Sequence, residues 1–238
     1  MNRRYNLHFI YLTVIIAIVT GIQMPMARAD NLSKQTHRTL QSASEFDYPP
    51  FALVRPNGSA DGFSVDLLKA VTQAVGLEIT FTVGPWHNIK KKLVDGHLDA
   101  LPLVSYSQER EKVYDFTAPY LRMHGTIFVR KGEKTIRGRT DLKEKEIIVM
   151  RGDTAYEYAV RENLSDKLIL TDTFEEAMRL LSTGKHDAVI IQQLVGLQLI
   201  KKLGISNVVN VITFQETSLK PVDKPLSGFE QKFCIAVQ

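Results

Sequence analysis

Arg110 stands in a chemical setting unlike that of the other basic residues of this 238-residue chain. An apolar run, Leu98 to Val104, leads into the polar Ser105, Tyr106 and Ser107. A charged turn of helix is expected next, over Gln108 to Lys112, and then an aromatic run, Tyr114, Phe116 and Tyr120. That order puts Arg110 in a first helical turn just after a strand, beside hydroxyls and unpaired backbone N–H groups. Such N–H groups and the planar guanidinium fork both suit a carboxylate. From these residues alone a surface ion pair with Glu109 or Glu111 is the expected reading. A second strand-to-helix junction lies at Arg151-Gly152-Asp153-Thr154, after the buried-type strand Ile147 to Met150.

Other chemistries are excluded by what is missing. The sequence has no Walker loop, GxGxxG, HExxH, CxxC or GxSxG, so most recognisable enzyme classes drop out. The six histidines, at positions 8, 37, 87, 97, 124 and 186, show no ligand spacing, and neither a metal nor another cofactor is expected. No catalytic residue is assigned.

The elements that must position Arg110 alternate between strand and helix, which predicts an α/β fold with mostly parallel sheet. Residues 30–43 read as a polar flexible leader, and Pro49-Pro50 interrupts regular structure. Phe63, Val65, Leu67, Leu68, Val71 and Val75 recur at helical spacing before Gly76. Glu78 to Val83 alternates as a strand, and His87 to Asp95 reads as a helix with Lys90, Lys91 and Lys92 on a solvated face. Strands are expected at 126–130, 147–150, 168–170, 188–191, 208–213 and 233–237. Helices are expected from Thr154 to about Glu162, from 177 to 182 behind a capping box at Thr173, and from 194 to 203.

Arg3 and Arg4, the apolar run Ile10 to Ile22 and the small-x-small site Ala27-Arg28-Ala29 make residues 1–29 an expected cleavable signal peptide. The chain is therefore expected in the periplasm. The formal charge of +4 falls to +1 once Arg3, Arg4 and Arg28 leave, so basicity gives no case for nucleic acid. The single cysteine, Cys234, sits in an apolar strand and reads as a small buried hydrophobe.

Several segments, in this order, resemble one family. They are Tyr48 to Phe51 (YPPF), Gly62 to Val71 (GFSVDLLKAV), the lone Trp86, Leu98 to Tyr120, Asp141 to Tyr158, and Ala177 to Ile190. Together they are similar to the family 3 extracellular solute-binding proteins that take polar amino acids. The resemblance implies a two-lobed periplasmic binding protein-like fold of type II, each lobe a mostly parallel sheet flanked by helices, with hinge closure over a ligand. Lobe one would span 44–125 plus 216–238, with the family's C-terminal helix lacking, and lobe two 126–215. It further implies that Arg110 clamps a ligand carboxylate beside Ser105, and that Thr154 adds a backbone N–H after Gly152 and Asp153. Tyr48 and Trp86 would hold the ligand between aromatic faces, and Glu45 would meet its ammonium or side chain, with Asp153 as a second acid that can compensate there.

Two departures qualify this. Where the family commonly has an ammonium-binding Asp, five residues after Asp187, this chain has Gln192. The Asp99–Arg110 segment is one residue shorter than in transport-type members and resembles the sensory versions of the domain. The expected function is capture of an amino acid or related small carboxylate for transport, without catalysis, with a permease as partner. The alternatives are a ligand-sensing domain, with a membrane sensor protein as partner, and a cyclohexadienyl dehydratase-like enzyme.

Overall fold

The structure is a computed structural model, and it describes residues 38–211 and 229–238. The expected signal peptide, most of the expected leader and the stretch 216–228 lie outside the described residues. In chain order the first part comprises β1 (Leu40–Ser44), β2 (Asp47–Tyr48), β3 (Ala52–Val54), β4 (Ala60–Asp61), α1 (Phe63–Ala74) and β5 (Ile79–Val83). Next come α2 (Trp86–Val94), β6 (Ala100–Ser105), β7 (Asp115–Phe116) and the long β8 (Leu121–Arg130). The second part holds β9 (Glu146–Met150), α3 (Thr154–Arg161), β10 (Lys167–Thr171), α4 (Phe174–Thr183), β11 (Ala188–Gln192), α5 (Gln193–Leu203) and β12 (Val208–Asn210). Finally β13 (Glu230–Val237) returns.

Ten of these strands form one sheet in the order β10-β9-β11-β8-β13-β6-β1-β5, with β12 beside β8 and β7 beside β13. Pairing is parallel in the outer groups, β5-β1-β6 and β10-β9-β11, where helices make the crossovers. It is antiparallel at the centre. There β8 pairs through Leu121–His124 with β13 and through Gly125–Phe128 with β11. The α/β class is as expected, and the sheet is mixed because β8 and β13 run against their neighbours. The strands β2, β3 and β4 form a separate three-stranded sheet.

Three local expectations need correction. Leu40–Ser44 is a central strand, not leader, with Ser42, Ala43 and Ser44 all buried. Its hydroxyls gave it no apolar pattern. The helix expected over Gln108 to Lys112 is a single 3-10 turn, Arg110–Lys112. Of the apolar residues at helical spacing in and just after α1, Val65 and Leu68 are buried, but Phe63, Val71 and Val75 are exposed.

At the start of α1 the chain passes directly over the Tyr48-Pro49-Pro50-Phe51 segment. Ser64 N donates to Phe51 O at 3.0 Å, and Gly62 adopts φ +106°. A Cβ on Gly62 would lie 2.5 Å from Phe51 O. Gly62→Ala is therefore expected to lower stability by about 2–3 kcal/mol through left-side backbone strain and a backbone clash. Urea denaturation checks this, and an unchanged midpoint would show that the close approach is relieved elsewhere.

Candidate binding site around Arg110

The buried strand β6 ends at Ser105, and the chain turns through Ser107, whose Oγ accepts from Arg110 N at 3.2 Å. This turns the Arg110 side chain inward, where it is only 4% exposed. Its Nη1 donates to Ser105 O at 3.0 Å, and Nη2 donates to Gly152 O at 3.3 Å and to Glu157 Oε1 at 2.9 Å. Its Cζ lies 5.6 Å from the centre of the Trp86 ring, a cation–π stack. Neither Glu109 nor Glu111 is its partner; Glu111 accepts from Tyr106 Oη at 2.7 Å.

Trp86 and Lys90 lie one turn apart on α2 and reach the same carbonyl. Trp86 Nε1 donates to Gly152 O at 2.9 Å and Lys90 Nζ at 3.2 Å, while Lys90 also meets Glu157 Oε1 at 3.0 Å. Lys90 thus does not belong to a solvated face. Burial, and then the Arg110 charge, lower its pKa. Gly152 presents its carbonyl from a φ of +70°, which favours glycine at this turn. Lys90, Glu157 and the Gly152 carbonyl are the site groups that sequence reasoning missed. The i, i+4 spacing of Trp86 and Lys90 was the only available signal.

The junction after Gly152 behaves as expected of a helix start. Asp153 is the N-cap of α3, its Oδ1 accepting from Ala155 N at 2.7 Å. Burial pushes its carboxyl up to about 6, against the pull of that hydrogen bond and of Arg110. Thr154 is buried with an unpaired Oγ1. Glu45 is buried too, its pKa raised well above the carboxylate range first by burial and then by Asp47 and Asp153, with Arg110 opposing.

Tyr48 sits deeper than a ligand-facing ring would. Its ring packs against Phe51, Phe174 and Phe233 at centroid distances of 6.5, 6.0 and 6.1 Å. Only its hydroxyl, raised by burial and then by Asp153 and Glu45, remains for a polar role. Gln192, buried at the end of β11, donates from Nε2 to Gln231 Oε1.

Of the twelve buried side-chain polar atoms without a protein partner among the described residues, six lie on the expected residues. They are Glu45 Oε2, Tyr48 Oη, Ser105 Oγ, Arg110 Nε, Thr154 Oγ1 and Gln192 Oε1. Unmade hydrogen bonds of this kind are destabilising by roughly 1–3 kcal/mol each unless water or a polar ligand satisfies them. A wider groove of about 710 Å³ lies elsewhere, between the small sheet and α4. Its polar groups are already satisfied by one another, as in Arg55–Asp61 at 2.8 Å and Arg179–Glu175 at 2.9 Å. At Glu45 and Trp86 the space is only about 10 Å³, so the walls here are drawn together. The Arg110 cluster is therefore a candidate site on its chemistry, not on its volume.

Residues 40–168 match the sequence model of bacterial extracellular solute-binding proteins, family 3. The chain belongs to that family. Among family 3 relatives, the L-cystine-binding protein TcyJ of Escherichia coli (strain K12) is 32% identical over 192 residues, covering 79% of this chain and 72% of the relative. A histidine kinase sensor domain with similarity to periplasmic binding proteins superposes with a TM-score of 0.75 at 27% identity, over 85% of this chain and 83% of that one. An ancestral arginine-binding protein bound to arginine gives a TM-score of 0.72 at 29% identity, over 84% of each chain. The periplasmic binding protein-like fold is therefore established for this family 3 chain.

Proposed function

We propose that the chain captures an amino acid or related small carboxylate in the periplasm, without chemical conversion, and delivers it to a transporter permease. The two lobes would be the expected 44–125 plus 216–238, with the first extended back to Leu40, and 126–215, closing about the β8 and β13 strands. Arg110 receives the ligand carboxylate, joined by the Ser105 and Thr154 hydroxyls and the Trp86 face. Glu45 and Asp153 take the ammonium, since Gln192 is neutral and engaged with Gln231. The observation that carries this reading is the buried guanidinium of Arg110. It already donates from Nη2 to a protein carboxylate, Glu157 Oε1, and keeps an unpartnered Nε. The relatives named for cystine and arginine binding support the amino-acid class.

A thermal-shift screen against amino acids, including L-cystine and L-arginine, tests it. A ligand at 100 times its Kd adds about 2.7 kcal/mol of stability. A panel without any shift would count against the proposal. The structural likeness to a kinase sensor domain favours a second reading, ligand sensing. Neighbouring genes separate the two: a permease gene supports uptake and a membrane kinase supports sensing.

A further inference from the structure

The Arg110 cluster contains a carboxylate that belongs to the protein itself. Glu157 projects from the first turn of α3, and its side chain is 33% exposed whereas that of Arg110 is 4% exposed. It therefore reaches from the rim to a buried guanidinium. Its Oε1 is shared between Arg110 Nη2 at 2.9 Å and Lys90 Nζ at 3.0 Å. Both cations also donate to Gly152 O, so α2 and α3 are tied through one carbonyl and one carboxylate.

We infer that Glu157 is a built-in competitor for the Arg110 guanidinium, displaced onto Lys90 when a ligand carboxylate arrives. This makes Glu157 and Lys90 the residues that set affinity and reject weakly binding carboxylates. The inference rests on the proposed role of Arg110 as carboxylate receptor. A group that occupies the receptor in the free protein reduces apparent affinity by the fraction of molecules it blocks. Lys90 makes the exchange feasible, because Glu157 keeps one of its two cations after leaving Arg110. Without Lys90 the displaced carboxylate would stand unpaired near an incoming anion.

The test is calorimetric titration of the intact protein with L-cystine and with L-arginine. Glu157→Gln is expected to tighten binding by roughly 5- to 10-fold, a range that reflects an ion pair with a buried cation and a carboxylate one-third exposed. Lys90→Met is expected to weaken binding by a similar factor, but only where Glu157 is present, so Lys90→Met/Glu157→Gln behaves like Glu157→Gln. If the native chain binds and Glu157→Gln binds equally or more weakly, the competitor role is overturned while the proposed function stands. If neither protein binds either probe and the wider amino-acid panel is also silent, the proposed function fails.

A ligand-free measurement then judges the contact on its own. Trp86 is the only tryptophan, and its Nε1 is held by Gly152 O at 2.9 Å. In Glu157→Gln the tie between α2 and α3 is weaker, so Trp86 emission should shift to the red and acrylamide quenching should rise. Unchanged emission and quenching would overturn the tie.

Discussion

Arg110→Ala is expected to weaken ligand binding by about 100-fold or more. Each hydrogen bond between charged groups contributes roughly 1.5–3 kcal/mol, and the guanidinium can offer a carboxylate at least two of them. The loss is therefore about 3 kcal/mol at minimum, which is two orders of magnitude in Kd. The same substitution changes the free protein. It removes the cation that opposes the raised pKa values of Glu45 and Asp153 and that pairs with Glu157. Stability of Arg110→Ala should consequently fall more at pH 7 than at pH 5, where the buried acids carry protons. Arg110→Lys separates the two effects. It keeps a positive charge near Glu157 but has no planar fork, so stability should largely recover while affinity does not. Native-like binding by Arg110→Ala would remove the guanidinium from the site.

The second large effect is on pH dependence. Asp47 and Asp153 are both buried, and burial pushes each from about 3.8 to about 6. Asp47 is held there even though its Oδ2 accepts from Glu175 N at the start of α4, a bond that acts in the other direction. Between those two pH values the folded chain holds protons that the unfolded chain has released. Their stabilising contribution is therefore complete below about pH 3.8 and is lost as pH rises through about 6. A shift of about two units corresponds to roughly 2–3 kcal/mol per group, taken as an order of magnitude. Asp153→Asn keeps a capping oxygen for Ala155 N and removes the titration. It should flatten the fall in stability between pH 4.5 and 7 by about 2 kcal/mol, as read from urea midpoints at the two pH values. An equally steep fall in Asp153→Asn would mean that this carboxyl does not titrate in the window.

Much of this site could be read from residue types and order. Arg110 followed a buried strand and a pair of serines, and Gly152-Asp153-Thr154 had the composition of a glycine turn feeding an N-cap. Only the second rests on local chemistry, and there Asp153 caps α3; its neighbours alone gave Arg110 a surface ion pair, whereas the structure buries it. What escaped was set by distance. The partner of Arg110 is Glu157, 47 residues away and supplied by another helix, whereas Glu109 and Glu111 were merely adjacent. Lys90 was concealed by its neighbours, since Lys91 does sit on an exposed face and pairs with Asp95 at 2.6 Å.

The strand β1 escaped for a different reason. Leu40–Ser44 lies between two parallel strands, where burial on both faces is normally marked by a continuous apolar run. Here the buried positions are Ser42, Ala43 and Ser44, so pattern alone suggested a leader. Tyr48 illustrates the converse. Its ring was expected against ligand, but three phenylalanines from separate segments surround it. An aromatic residue beside prolines gives no local sign of which side it will pack on.

The claim that everything else depends on is that Arg110 reads a free carboxylate. It is tested most directly by calorimetry on the native chain with whichever amino acid gives the largest thermal shift, compared with the carboxamide of that same amino acid. The two differ only in the group said to meet the guanidinium. The account predicts that the carboxamide binds at least about 100-fold more weakly, and that this difference vanishes in Arg110→Ala. Equal affinities of the native chain for acid and carboxamide would contradict it.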